Sequence, residues 1–395
     1  MNEKIRILST VSLYHALNDG SVAAIPILFP ILKTQFNLSY TEVGVITGGG
    51  LLITLFFQLI IGRTADGKNS LTLLSTGILL LSLSLLLLTQ SNGFLSLVLL
   101  IFFLRFASSF FHPIGVGWIS RIFKKDRLDW AMGVQSGTAD FGAFIAISTT
   151  LYLSEIRNWY FPLYIWSILG IIGLLIAIIL TRSLNKDLLL VKRIREKQSV
   201  RDSLTEFYKL LKKIKILVPS FIISGASWNV TITFLPLLLE QKTSLPLAFI
   251  GLIVSIWIGI GSISSIFCGR ICAIIKRKNV VILSYLIIGC TALLISYITN
   301  ILLIVVALVL FGIFTFLSFP CLFSFISEAT HETVESRTFG LIFTLQLGGG
   351  IIISFLSGFL SDVYGVWIPF ALLGLLSLLI CIPLLINYKK SFIAI

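Results

Sequence analysis

Twelve apolar runs recur along this chain, each close to the twenty or so residues that a helix needs to cross a bilayer. They fall near 9–32, 43–62, 71–89, 94–119, 131–153 and 159–181, then near 216–239, 247–269, 279–299, 301–326, 338–360 and 366–387. The runs are continuous, as in Leu71–Leu88 and Ile301–Phe314, whereas barrel strands alternate apolar and polar side chains. An all-α membrane protein of twelve transmembrane helices follows. Composition agrees, because only 12% of the residues are charged and 57% are hydrophobic, against about 25% charged in a soluble domain. Disorder is excluded on the same ground. The first run contains His15, Asn18 and Asp19 and is followed by no small-residue cleavage site, so it is expected to be a span and not a signal peptide.

A net charge of +13 would suggest nucleic acid in a soluble protein, but its placement points to topology. With the amino terminus inside, 26 of the 30 Lys and Arg residues fall in cytoplasmic segments. Only Lys33, Arg157 and Lys242 fall outside, and Arg105 alone lies within a span. Basic residues collect on the cytoplasmic side of membrane proteins, so both termini are expected in the cytoplasm of a multi-pass cell-membrane protein, with the bilayer and not nucleic acid as partner. Eleven of the basic residues sit in the stretch 182–215, which divides the chain into six-helix halves, 1–181 and 216–395. Part of it, Val200–Ile214, reads as an amphipathic helix on the membrane surface or simply as a solvated tether.

The halves repeat. Phe29-Pro30, Gly44 and Gly62-Arg63 are matched by Leu235-Pro236, Gly251 and Gly269-Arg270, at offsets of 206 to 207 residues. A parallel six-plus-six repeat is a transporter architecture whose substrate site lies near the midplane. The five cysteines occupy apolar stretches of the second half, with no metal-site or disulfide spacing, and Cys268 and Cys272 are one helical turn apart. They read as small buried hydrophobes, and no metal or cofactor is expected.

The loop after the second span reads GRTADGKNS (Gly62–Ser70), where Gly62 permits close helix approach and Asp66 can cap the next helix. It resembles the loop motif of the major facilitator superfamily, G-x-x-x-D-(R/K)-x-G-(R/K)-(R/K). Gly62 and Asp66 match it, and Gly67 stands where that motif has a basic residue. The second copy keeps Gly269 and Arg270 but has Ala273 in the aspartate position. The resemblance implies that Gly62, Arg63, Asp66, Gly269 and Arg270 belong to a conformational gate, and that the protein is a monomer. His15–Gly20 (HALNDG), Ser108–Pro113 (SSFFHP) and Ser227–Pro236 (SWNVTITFLP) resemble the fosmidomycin-resistance-type branch, which implies export of small drugs. Three departures stand out: Ala226 replaces an expected basic residue, Ala146-Ile147 replaces the glycine-proline pair of many antiporters, and Ser109 follows Arg105 where proton-coupled members have glycine.

Ionisable groups inside a bilayer are expensive and usually functional. His15 and Asp19 are four residues apart and share a helix face, while Arg105 and His112 lie two turns apart on one stripe. These residues suggest proton coupling through Asp19, Arg105 and Asp140. They also suggest a substrate site that includes His15, Asn18 and His112, with Trp228, Asn229 and Gln346 from the second half. The static alternative is that Asp19–Arg105 and Asp140 are paired and only hold helices together. The triple glycines 48–50 and 348–350 are expected to serve helix packing, and Asp362 a helix end. No G-x-S-x-G, H-E-x-x-H or Walker sequence occurs, so an enzyme or primary pump is not expected, and no segment is long enough for a receptor domain. The expected function is proton-coupled efflux of a small molecule. Uptake of an organic anion or sugar is the alternative.

Overall fold

The computed structural model describes residues 2–65, 67–123, 125–190, 200–329, 335–388 and 392. Among them the chain is helical. In chain order the helices are α1 (Glu3–Ile27), α2 (Phe29–Gln35), α3 (Tyr40–Thr64), α4 (Ser70–Leu88) and α5 (Phe94–Ser108). After a π-helical turn (His112–Val116) come α6 (Gly117–Ile122), α7 (Lys125–Ile156), α8 (Phe161–Thr181), α9 (Lys186–Leu189) and α10 (Val200–Lys213). The second half holds α11 (Val218–Lys242), α12 (Leu247–Ile266), α13 (Cys268–Ile275), α14 (Arg277–Tyr297), α15 (Ile301–Ala329), α16 (Glu335–Tyr364) and α17 (Ile368–Ile386).

Each apolar run of the sequence has its helix. Ten helical segments are long and apolar enough to span, and α1 with α2 forms an eleventh, bent by 50°. The bend falls between Pro26 and Pro30, where missing backbone N–H donors interrupt the helical ladder. The remaining run falls on α7, which is not apolar enough to be counted with these spans although its 32 residues would reach about 48 Å at 1.5 Å per residue. Its polar stretch Gln135–Asp140 lowers its mean hydropathy. Large apolar side chains lie exposed along the spans, among them Leu95, Ile178 and Ile266, as expected of helices that face lipid.

The fold clusters into two compact units. Unit 1 comprises Met1–Leu38, Gly49–Arg195 and Leu245–Ser255, and unit 2 comprises Ser39–Gly48, Glu196–Ser244 and Ile256–Ile395. In unit 1, α1 packs along α7 and α8, and α4 along α5 and α8. In unit 2, α11 packs along α16, and α14 along α15 and α17. Both units close on a backbone contact that only glycine allows. A Cβ added to Gly142 would lie 2.2 Å from the carbonyl oxygen of Ala16, and one added to Gly349 would lie 2.2 Å from that of Ile222. Ala16 and Ile222 are related by the offset of 206, and Gly142 and Gly349 by 207, so the sequence repeat is also a packing repeat.

Charges near helix ends act as caps. Asp362 accepts the backbone N–H groups of Tyr40 and Thr41 at 2.8 and 2.7 Å, so it serves the start of α3. Lys242 donates to the carbonyls of Ile295, Ser296 and Ile298 at the end of α14. The linker does not begin as a free tether. Trp118 donates to Leu188 O, and Arg121 donates to Leu190 O and to Ser70 Oγ. In α10, Leu210 is buried while Tyr208 is exposed, so the helix presents two unlike faces.

Candidate functional site

The ionisable residues of unit 1 converge where α1, the end of α5 with its π-helical turn, and α7 meet. The Gly142–Ala16 contact brings α7 close enough for Gln135 to meet His15. The His15 ring is 5% exposed and stacks on Phe111, with ring centroids 4.1 Å apart. His112 meets it edge-on at 5.4 Å. Proline at 113 cannot supply a backbone donor, and the helix widens into the π-helical turn there.

Hydrogen bonding fixes the state of His15. Its Nδ1 lies 3.0 Å from the Gln135 backbone oxygen and 2.6 Å from Gln135 Oε1. A backbone carbonyl only accepts, so Nδ1 carries a proton and donates it. Nε2 then faces Asp19 Oδ2 at 3.5 Å and makes no hydrogen bond although it is buried. A neutral imidazole would present a lone pair to a carboxylate there, and two acceptors repel. The gap therefore suits a single hydrogen bond, with the hydrogen on either Nε2 or the carboxyl group. Asp19 is 32% exposed at its side chain and is open to exchange, and Asn18 Nδ2 donates to its Oδ1 at 2.8 Å.

Arg105 does not pair with Asp19 within ion-pair distance. Its guanidinium makes no hydrogen bond or ion pair with any described residue, yet Asp19 acts electrostatically on both Arg105 and His112. The Arg105 stem packs over Gly50, where an added Cβ would lie 3.0 Å from Cγ. The arrangement can take up a proton, and it offers a cation to an anion. One nitrogen from each histidine and an oxygen of Asp19 lie within 4.8 Å of one another, so the trio could also hold a divalent cation. Asp140 lies on α7, five residues beyond Gln135.

Unit 2 presents aromatic rings in place of charges. Trp228 lies 5.0 Å from Trp257 and 5.6 Å from Phe316, by ring centroid. Trp257 is fully buried, and its indole N–H has no partner among the described residues. Asn229 Nδ2 donates to Gly225 O, and Gln346 Nε2 donates to Ser224 Oγ, each at 2.9 Å. Gln135, Phe111 and Trp257 are additions to the residues singled out from the sequence. Gln135 lies in the polar stretch of α7 and Phe111 within Ser108–Pro113, but neither is singled out there, and nothing marks Trp257 among so many aromatics.

At the loops, Pro113 Cβ lies 3.4 Å from a Cβ added to Gly62, and Arg63 is exposed. Asp66 lies outside the described residues. The cap of α4 is Asn69, whose Oδ1 accepts Thr72 N–H at 3.1 Å. Gly67 has φ of 75°, a left-handed conformation that disfavours a side chain and accounts for glycine where the motif has a basic residue. Gly269 and the exposed Arg270 lie in α13, so the second copy is a short helix and not an open loop. Of the triple glycines, Gly49, Gly50 and Gly349 are in close contact with neighbours, while Gly348 faces open space.

The cysteines depart from the expectation of inert, buried hydrophobes. Cys290 is exposed and Cys272 half-buried, and Cys268, Cys272 and Cys321 bring their sulfurs together. Sequence spacing hid this because the third thiol arrives from α15.

Residues 11–352 match the Major Facilitator Superfamily. An uncharacterized MFS-type transporter of Bacillus subtilis (strain 168), YfnC, is 27% identical over 176 residues, 39% of this chain and 43% of that protein. The fosmidomycin resistance protein of Escherichia coli (strain K12) is 30% identical over 107 residues, 27% of this chain and 26% of that protein. The chain thus spans less than half the length of either relative. The crystal structure of a variant of the nucleoside transporter NupG superposes with a TM-score of 0.80 at 15% identity, covering 98% of this chain and 100% of that one.

Proposed function

The chain belongs to the Major Facilitator Superfamily, and we propose that it is a membrane transporter of a small molecule that exports an anionic or amphiphilic compound in exchange for protons. One observation carries the coupling. With Nδ1 of His15 committed to Gln135, the space between Nε2 and Asp19 Oδ2 calls for a single proton. Arg105, unpaired beside it, receives the negative charge of the substrate, and Asn18 and His112 complete the polar contacts. Exchange requires substrate and proton to exclude one another, which follows if a hydrogen-bonding group of the substrate occupies the space between Nε2 and Asp19 where the proton sits; the shared field by itself draws an anion to a protonated site, the linkage of the uptake alternative. Asp140 serves as a further proton carrier on α7. Trp228, with Trp257 and Phe316, offers the apolar part of the substrate a stacking surface, and Asn229 and Gln346 flank it.

The protein works as a monomer with both termini in the cytoplasm. Its halves are 1–181 and 216–395, joined by 182–215, the six-plus-six plan on which alternating access is built. The loops at Gly62, Arg63 and Asp66 and at Gly269 and Arg270 gate one side. Likeness to the fosmidomycin resistance protein supports export, and the same site run with the opposite gradient would serve uptake.

The test is transport in proteoliposomes of known orientation. Asp19→Asn removes the titrating oxygen but keeps the size, so gradient-driven flux should vanish while substrate binding persists. Undiminished gradient-driven flux in that variant would sink the coupling role. Flux only into the cytoplasm-equivalent compartment would replace export by uptake.

A further inference from the structure

Away from the His15 cluster, Cys268 and Cys272 project from successive turns of α13, and Cys321 reaches them from α15. The sulfurs lie 3.3 Å (Cys268–Cys321), 3.3 Å (Cys272–Cys321) and 3.8 Å (Cys268–Cys272) apart. Three thiols from two helices thus form a single triangle, with Cys268 and Cys321 buried and Cys272 reachable. A cavity of about 530 Å³ opens onto it, lined by Cys268, Gly269, Cys272, Arg277, Pro320 and Ser324.

We propose that this triangle binds a soft d¹⁰ metal ion, Zn(II) or its analogue Cd(II), through three thiolates, with the fourth position open to the cavity. Sulfur ligands select soft and borderline ions. With zinc–sulfur bonds of about 2.3 Å, sulfurs on a tetrahedron lie about 3.8 Å apart. One edge already has that length, and the other two, which share Cys321, need to open by about 0.5 Å, within reach of a small rotation of the Cys321 side chain. No carboxylate or imidazole of a described residue joins the group, so hard ions find no suitable donor. Binding is a simple displacement: the ion replaces three thiol protons, which leave to solvent, and no oxidant is required. The complex carries one negative charge, next to Arg277 in the cavity wall. An occupied site staples α13 to α15, so metal binding would restrain the segment that bears Gly269 and Arg270.

The test uses the purified, fully reduced protein in detergent. Titration with Cd(II) should produce a thiolate charge-transfer band that saturates at one ion per chain, with the intensity of three cadmium–sulfur bonds. Zn(II) alone should shield three of the five thiols from alkylation, and Cd(II), the softer ion, should displace it. Cys321→Ser should weaken Zn(II) at least about 100-fold, beyond the loss expected of a residue that only hydrogen-bonds a ligand. The double variant C290S/C381S, which leaves the triangle intact, should bind as the parent does. A band of two-bond intensity or fewer in the parent would overturn the proposal without recourse to a variant. So would unchanged binding in a monodisperse C268S/C272S/C321S protein, which would place the metal at another site such as the His15 cluster.

Discussion

Units 1 and 2 are built on one plan and filled with opposite chemistry. At matching positions, His15 is replaced by Phe221, Asp19 by Gly225, Arg105 by Gly312 and His112 by Phe319, while the proline after the last pair persists as Pro113 and Pro320. The backbone contacts Ala16–Gly142 and Ile222–Gly349 are the same. Geometry has been kept in both copies, whereas charge has been kept in one. An ionisable group within a bilayer is costly to retain unless it is used, so the comparison supports placing the proposed proton and anion chemistry in unit 1, where the charges are, while unit 2 presents aromatic rings.

The strongest way to break the parallel is to attack what the units share. Gly142→Leu and Gly349→Leu each add a side chain whose Cβ would lie 2.2 Å from a backbone oxygen, where no neighbouring side chain can turn aside. Each should destabilise by more than about 4 kcal/mol, in the range of exceptional substitutions. Neither variant should be recovered as a monodisperse peak on size exclusion in detergent. Normal recovery of one and loss of the other would mean that the two contacts are not equivalent.

A smaller effect separates the units. Arg105→Ala removes a guanidinium that no described residue pairs with, so the thermal midpoint should hardly move. Flux of an anionic substrate should fall about 30-fold or more, matching the roughly 2 kcal/mol or more that losing a partner of a buried charge entails. The reverse exchange, Gly312→Arg, should instead prevent folding, since an added Cβ there lies 2.7 Å from the Trp257 carbonyl oxygen. A large loss of stability in Arg105→Ala would restore the static reading of this arginine.

What could be read from sequence follows the range of the forces involved. Helices that must satisfy every backbone group within themselves declare their ends locally, so all twelve runs could be placed, along with the repeat of Gly62-Arg63 in Gly269-Arg270. The charged candidates on α1 and α5 were visible because each is anomalous where it stands. The partner of His15 was not, because Gln135 is unremarkable until the Gly142–Ala16 contact brings α7 against α1. Cys321 was hidden for the same reason, since 49 residues separate it from Cys272 and only the packing of α13 on α15 joins them. Gly67 was read as a departure from the loop motif, and only its left-handed backbone explains it.

The finest comparison concerns two glutamines that look alike in sequence and differ in their partners. Gln346 donates to the Ser224 hydroxyl, and Gln135 offers Oε1 to the His15 ring. Gln346→Leu removes the hydrogen bond to Ser224, and Gln135→Leu removes those to His15 and to Ser136 Oγ, so they should lower stability by about 1 and about 2 kcal/mol. Their effects on transport should diverge. Serine does not titrate in the working range, so Gln346→Leu should leave the shape of the pH–rate profile unchanged. Gln135→Leu keeps the backbone acceptor of Nδ1 but removes the side-chain oxygen, so the ring is held less firmly toward Asp19. The pH–rate profile of Gln135→Leu should therefore change shape where that of Gln346→Leu does not. Superimposable profiles for Gln135→Leu and the parent would show that the His15–Asp19 proton is not the one that limits transport, whatever each glutamine contributes to stability.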